Sequence, residues 1–391
     1  MRGVMCRAAA LAGAVLVLLG PAVGVASAAG GAAASAPVSA ISWSIQHVPE
    51  PPGAMNPGLG GVSCPSATAC TSAGAYNPSA GGASTLAEHW NGKKWSVQTT
   101  PDLGVWDFFN AVSCASTTSC VAVGYHYPHG VGGLTLPLAE IWNGKKWTIE
   151  SAPNPTGATG TQLTGVSCTS PAACTAVGYA TGKVARVTLA ERWNGTKWSI
   201  QTTPSPGKNS NFDGVSCASP TVCSAVGYSN GVLAEQWNGT KWSIQTTPTV
   251  QGASFSLLGS VSCTSGSACT AIGVYNNSAG SQTLAERWNG TRWSIQSTPK
   301  PAEAKNSGFG GVSCTSASAC VIVGSYTNTA GIGLTLAERW NGTRWSIQST
   351  PNPTGAKNSG LGGVSCASAS ACTAMGGSDV TPPFAERYGP S

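Results

Sequence analysis

Charge is scarce in this sequence. Asp, Glu, Lys and Arg make up 9% of its 391 residues, against about 25% in an average soluble domain. The shortage argues against long solvated helices, and no stretch repeats with the 3.6-residue period that a helix face needs. Past the N-terminus no segment is apolar enough to span a bilayer. Catalytic signatures are missing too: there is no GxSxG, no HExxH and no phosphate loop, and the aspartates are only Asp102, Asp107, Asp213 and Asp379. The formal charge of +6 becomes +4 once Arg2 and Arg7 are removed with an N-terminal leader. So mild a charge gives no footing for nucleic acid or anionic lipid.

What is present is glycine, cysteine, tryptophan and a repeat. The chain has 51 Gly and a hydrophobic fraction of 41%, too apolar for disorder and suited to short strands joined by tight turns. Arg2 and Arg7, the apolar run Ala8 to Leu19 and the small-residue site Ala26-Ser27-Ala28 read as a secretory signal over residues 1–28. Residues 29–40, rich in Ala, Gly and Ser, read as a flexible lead-in. A single domain is expected over 41–391, monomeric and secreted or associated with the cell wall.

The repeat centres on LAERWNGTKWSIQ (Leu189 to Gln201), with near-copies starting at Leu86, Leu138, Leu233, Leu284 and Leu336. Leu189, Glu191 and Trp193 alternate with Ala190 and Arg192, the period-two pattern of a strand with one buried face. Asn-Gly between the two halves predicts a hairpin with a type I′ turn. Each unit carries four strand-like pieces, and its first cysteine follows the previous one by 46 to 54 residues. That is the size of one four-stranded propeller blade. The last unit stops at Phe384 to Tyr388 without a WSIQ strand, while an orphan Ile41-Ser42-Trp43-Ser44-Ile45-Gln46 precedes the first. The expected fold is therefore all-β: a seven-bladed propeller of four antiparallel strands per blade, closed by pairing 41–46 with 384–388.

Every unit also holds a C-x5-C pair: Cys64/Cys70, Cys114/Cys120, Cys168/Cys174, Cys217/Cys223, Cys263/Cys269, Cys314/Cys320 and Cys366/Cys372. With Cys6 in the leader these account for all 15 cysteines. The five residues inside each pair are small or turn-forming and fit a hairpin loop between the first two strands. In an exported chain such pairs predict one disulfide per blade; zinc is disfavoured because no histidine recurs with them. Thirteen of the 14 tryptophans recur at fixed places and are expected to pack between blades. Glu88, Glu140, Glu191, Glu235, Glu286, Glu338 and Glu386 also recur. They are expected to be structural carboxylates accepting hydrogen bonds from backbone N–H groups or hydroxyls. The NGT sequons at Asn194, Asn238, Asn289 and Asn341 coincide with the turn, and turn chemistry accounts for them.

Specific function belongs where the repeat is broken. The second-to-third and fourth-to-first connections share one face of the ring and vary in length and content, as binding loops do. That face holds Trp106, Asp107, Phe108 and Phe109, then His126, Tyr127 and His129, and then Phe212 and Asp213. Phe255 and Phe309 add to its rim. These nine residues from Trp106 to Asp213 form the candidate ligand patch. No cofactor and no metal is implied, since the His126/His129 pair has no evident third ligand.

On its WNGTKWSIQTTP segments the chain resembles the secreted bacterial β-propeller repeat proteins, broadly the kelch and galactose-oxidase-like group. The kelch Gly-Gly pair has counterparts only at Gly60-Gly61, Gly310-Gly311 and Gly362-Gly363. The WNG-x-x-W turn is similar to that of some seven-bladed fucose-binding lectins, which implies sugar binding. The expected function is a secreted, non-catalytic module that binds extracellular glycan or protein, with no nucleic acid and no membrane as partner. The alternative is a glycan-active hydrolase or lyase with its site over the central channel.

Overall fold

Ile41–His47 pairs antiparallel with Phe384–Pro390, so the two ends of the chain share one sheet. Within it Trp43 lies opposite Tyr388, their rings 5.4 Å apart. The computed structural model describes residues 41–104, 106–380 and 383–390; the expected leader and lead-in fall outside them. All of the described secondary structure is strand, arranged as seven four-stranded antiparallel sheets. Blades 1 to 6 span 54–98, 107–149, 160–201, 210–244, 255–295 and 306–348. Blade 7 takes three strands from 359–390 and its fourth from 41–47.

Closure hides an edge that would otherwise pair with another chain. Deleting residues 41–47 is therefore expected to lower the melting temperature and cause concentration-dependent association, read by thermal melts and light scattering. A deletion variant that stays monomeric with an unchanged melt would rule the closing strand unimportant.

The blades are joined by three kinds of contact. The first is apolar: Leu189, Trp193 and Trp198 of blade 3 pack on Val121, Val123 and Ala139 of blade 2. On the other side of blade 3, Val177 and Ala190 pack on Phe212, Leu233, Trp237 and Trp242 of blade 4. The third strand is thus buried on both faces, because a blade inside a closed ring has a neighbour on each side. The same pattern seals the ring, with Met375 and Ala385 of blade 7 against Leu59, Leu86 and Trp95 of blade 1.

The second contact explains the serine of each VSC strand. Its hydroxyl accepts the backbone N–H of the first cysteine in the next blade, as Ser113 does from Cys168 and Ser167 from Cys217. Seven such bonds of 2.9–3.0 Å run round the ring, the last from Cys64 N–H to Ser365.

The third is a set of arginines at the outer rim. Arg192, Arg287, Arg339 and Arg387 each stack on an aromatic ring of the next blade, at 4.3–5.1 Å. Each also donates to a carbonyl in that blade's cysteine hairpin, those of Pro220, Ala317, Ala369 and Ala67.

The seven disulfides form as expected: Cys64–Cys70, Cys114–Cys120, Cys168–Cys174, Cys217–Cys223, Cys263–Cys269, Cys314–Cys320 and Cys366–Cys372. So many bridges suit an oxidising compartment. Among the described residues no helix is long and apolar enough to cross a membrane.

The five residues between the cysteines make the turn between the first two strands, as expected. The cysteines stand on the strands, facing each other in register as Cys168 and Cys174 do, and only the residues between them turn. The second member of each pair is core. Cys70, Cys120, Cys174, Cys223, Cys269, Cys320 and Cys372 are 1–3% exposed, and each belongs to a different one of the seven interblade clusters. The physical reason is strand alternation. The second cysteine shares a face with the buried apolar residues of its strand and lies opposite the first aromatic of the WNG hairpin, as Cys174 lies opposite Trp193. In five blades a Thr or Ser hydroxyl of the preceding blade also lies 3.6 Å from its sulfur, as Thr71 does from Cys120 and Thr175 from Cys223.

Two expectations about the repeat are corrected. The WNG turn is not type I′: Trp193 pairs with Trp198, leaving four residues between them, and only Gly195 of the Asn-Gly pair has positive φ, +95°. Asn194 serves through its side chain, whose Oδ1 accepts the N–H groups of Thr196 and Lys197. The glutamates are the second case. Glu88, Glu140, Glu191, Glu235, Glu286, Glu338 and Glu386 are 0–1% exposed, yet neither oxygen of any carboxyl finds a hydrogen-bond partner. Glu191 sits opposite Ala176 on one side and Ile200 on the other, neither of which offers a side-chain donor. Burial pushes each of the seven up to about 8.

Candidate functional site

The sevenfold repeat is broken on one side of the ring. Immediately after the glycine that ends the CxAVG run, blades 2, 3 and 4 carry Tyr125, Tyr179 and Tyr228. The matching residues of the other blades are Ala75, Val274, Ser325 and Gly377. Across the pair on the inner strand stand Phe108, Gln162 and Asn211 in blades 2 to 4. Blades 1, 6 and 7 have Gly58, Gly308 and Gly360 there. Blades 2 to 4 thus wall one part of the rim with large polar and aromatic side chains, blade 5 has the aliphatic pair Leu257 and Val274, and blades 6, 7 and 1 are nearly bare backbone. On the bare side an open depression of about 450 Å³ is lined by Gly58, Gly360, Gly377 and Pro383 among others.

The wall begins as a ladder of rings. Trp106 stacks on Phe108 with centroids 6.4 Å apart, and Phe108 on Tyr125 at 5.0 Å. Tyr125 meets Tyr127 edge-on at 5.7 Å. The ladder is held by the backbone, because Tyr127 N–H donates to the Trp106 carbonyl at 2.9 Å. In blade 3 the Arg186 guanidinium lies 4.3 Å above the Tyr179 ring. In blade 4 Tyr228 stacks on Phe255 of blade 5 at 5.3 Å, beside a cleft of about 330 Å³. All three arc tyrosines are half-buried, and burial raises the phenols of Tyr125 and Tyr179.

The sequence-based candidates divide accordingly. Trp106, Phe108 and Tyr127 come together in the ladder. Phe109 and Phe212 do not reach the surface: they are 5% and 0% exposed and pack against Trp147 and Trp242 in the core between blades. Strand alternation turns them inward, away from Phe108 and Asn211. Phe309 is buried in the same way. Asp107 is 1% exposed, with Oδ2 accepting the Leu103 N–H at 2.7 Å, so it pins the preceding loop. Burial pushes its carboxyl up to about 6. His126 ends its strand opposite Asp107, half-buried, and burial lowers its imidazole. His129 is exposed on the loop beyond it, and among the described residues no metal-binding cluster of three or more His, Cys, Asp or Glu forms.

Asp213 is placed differently from the rest. It lines the axial cavity, which holds about 210 Å³ between the inner strands of all seven blades. Oδ1 accepts from Asn211 Nδ2 at 2.8 Å. Burial pushes its carboxyl up to about 6, opposed by that hydrogen bond and by the charge of Arg186. Sequence reasoning missed Tyr125, Tyr179, Tyr228 and Arg186. Their signal was present, since three consecutive units read G-Y where the others do not.

This is a seven-bladed β-propeller. No protein-family model and no curated protein matches the sequence. Among solved structures, YCF48 from Cyanidioschyzon merolae is similar at 13% identity and a TM-score of 0.54, covering 89% of this chain and 99% of that one. YCF48 bound to D1 peptide has 13% identity and a TM-score of 0.53, over 89% and 97%. A fucose-specific lectin from Aleuria aurantia has 11% identity and a TM-score of 0.43, over 81% and 98%. At these identities the likeness is one of fold.

Proposed function

We propose that the protein is a secreted, non-catalytic binding module that takes extracellular glycan or protein at the aromatic arc of blades 2 to 4. The carrying observation is the concentration of Trp106, Phe108, Tyr125, Tyr179 and Tyr228 on one side of an otherwise repetitive ring. Blades 1, 5 and 6 carry Tyr76, Tyr275 and Tyr326 one residue later, where strand alternation packs them against the interblade clusters instead. Rigid ring faces beside half-exposed amides such as Gln162 and Asn211 suit the apolar face and hydroxyls of a sugar, or an aromatic-rich peptide. The reading is supported by YCF48, a propeller of similar length that has been solved bound to D1 peptide. The signal reading of residues 1–28, a kelch-like kinship and a monomeric state belong to the same proposal.

The test is a glycan and peptide array on the mature chain, followed by titration of Trp106→Ala. Removing the ring that ends the stacked ladder is expected to weaken binding about tenfold or more. The melting temperature should change little, because Trp106 is half-exposed. Equal binding by the variant would remove the arc from consideration. A hydrolase or lyase is favoured only by Asp213, whose carboxyl lines the axial cavity and is pushed up to about 6 by burial. Polysaccharide turnover that disappears in Asp213→Ala would establish that reading instead.

A further inference from the structure

The inner strand of every blade carries a bulge two residues before the valine of its VSC run. Round the ring the residues left unpaired by these bulges are Gly60, Asn110, Thr164, Asp213, Gly259, Gly310 and Gly362. All seven line the axial cavity. The three that carry polar side chains occupy consecutive blades, the same three that carry the aromatic arc.

Their hydrogens are largely spent on the protein. Asn110 Nδ2 donates to the Leu163 carbonyl at 2.7 Å. Thr164 Oγ1 donates its single hydrogen to the carbonyls of Phe212 at 2.7 Å and Val177 at 3.1 Å. The bonds to Leu163 and Phe212 tie blade 2 to blade 3 and blade 3 to blade 4, and they leave Asn110 Oδ1 and the Thr164 lone pair as acceptors. Asp213, steadied by Asn211, contributes a carboxylate with no hydrogen to give once ionised. The two blades flanking the trio leave space: a Cβ built on Gly60 would meet nothing within 4 Å, and one on Gly259 only Leu257 Cδ1 at 3.9 Å, whereas across the ring one on Gly310 would meet the Gly362 carbonyl oxygen at 2.6 Å.

We propose that the cavity seats a primary ammonium group of the ligand, with Asn110, Thr164 and Asp213 accepting its three N–H bonds and Asp213 supplying the counter-charge. A primary ammonium has three donors and no acceptor, which matches a floor of three oxygens and one negative charge. The rest of the ligand then rises past the bare glycine side and lies against the aromatic arc. The chemistry comes from two sources, a lysine side chain or an unacetylated amino sugar. This inference rests on the arc being the ligand face.

Calorimetric titration at pH 7.5 with tetralysine and with a chitosan oligosaccharide, each beside its N-acetylated counterpart, separates these sources and tests the proposal. One free-amine probe is expected to bind, with acetylation weakening it about tenfold or more. Asp213→Asn should abolish that preference, and Thr164→Val should reduce it. Asn already occupies the matching position of blade 2 as Asn110, so Asp213→Asn is compatible with the fold, which a thermal melt verifies. Equal binding of acetylated and free probes, binding of neither amine, a response to calcium ion alone, or full preference retained in Asp213→Asn would each overturn the proposal. If a neutral glycan binds and Trp106→Ala abolishes it, the arc reading survives and the ammonium seat does not.

Discussion

Raising the pH from about 5 to 8 is expected to lower the melting temperature of the protein steeply. The cause is the ring of third-strand glutamates, each 0–1% exposed, without a hydrogen-bond partner, and pushed from an ordinary 4.5 up to about 8. A carboxyl whose folded value lies above its unfolded one holds its proton in the folded chain after the unfolded chain has lost it. The stabilisation is complete below about 4.5 and is lost as pH rises through about 8. Each unit of difference is worth about 1.4 kcal/mol. A few such groups therefore rival the ~5–15 kcal/mol that holds a domain together. Glu88 and Glu140 should titrate against added repulsion, from Glu50 and from Asp107 and Asp102. Glu191→Gln provides the control: little change near pH 5, and a melt several degrees above the parent near pH 8. A melting temperature that stays level from pH 5 to 8 would mean that the seven carboxyls are solvated or paired.

Reduction is expected to be the other large effect. Closing so short a loop stabilises by roughly 2 kcal/mol per bridge on the chain-entropy model. Seven bridges, if additive, approach the whole stability of a domain. The second cysteine of each pair is buried between blades, so the native protein should resist a reductant until it is unfolded. Once unfolded and reduced, it should fail to regain a cooperative melt, while a Cys168→Ala/Cys174→Ala double variant should lose only about one seventh of that stability. Calorimetry before and after refolding in reductant checks both. A reduced chain that refolds with its original melting temperature would make the bridges incidental.

Much of the fold was legible because its signals are local or come from counting. C-x5-C placed the disulfides, and an orphan WSIQ strand matched to a missing one placed the closure at Trp43 and Tyr388. The depth of those disulfides was not legible, because Cys174 and its counterparts are covered by the neighbouring blade rather than by their own hairpin. Less of the site could be read. Phe109 and Phe212 looked like loop aromatics but face the core, because a one-residue step along a strand reverses the side chain. Tyr125 and Tyr179 were hidden inside a strand motif that otherwise reads as framework. Asn194 was assigned to the turn for the wrong property, its backbone rather than its side chain.

By itself the sequence determined that LAERWNGTKWSIQ is half of a blade, that there are seven blades, and that the ring is closed. Those follow from alternation along strands and from the arithmetic of the repeat, which involve neighbours in the chain. Only the tertiary structure decided what meets across blades: the serine ring, the second buried face of the third strand, and the unpartnered glutamates. These contacts join residues about 50 positions apart, and their pairing depends on how each blade is turned against the next. The functional arc belongs to the same class. It exists because the exceptional residues of three consecutive units, unremarkable one at a time, are brought side by side around a common axis.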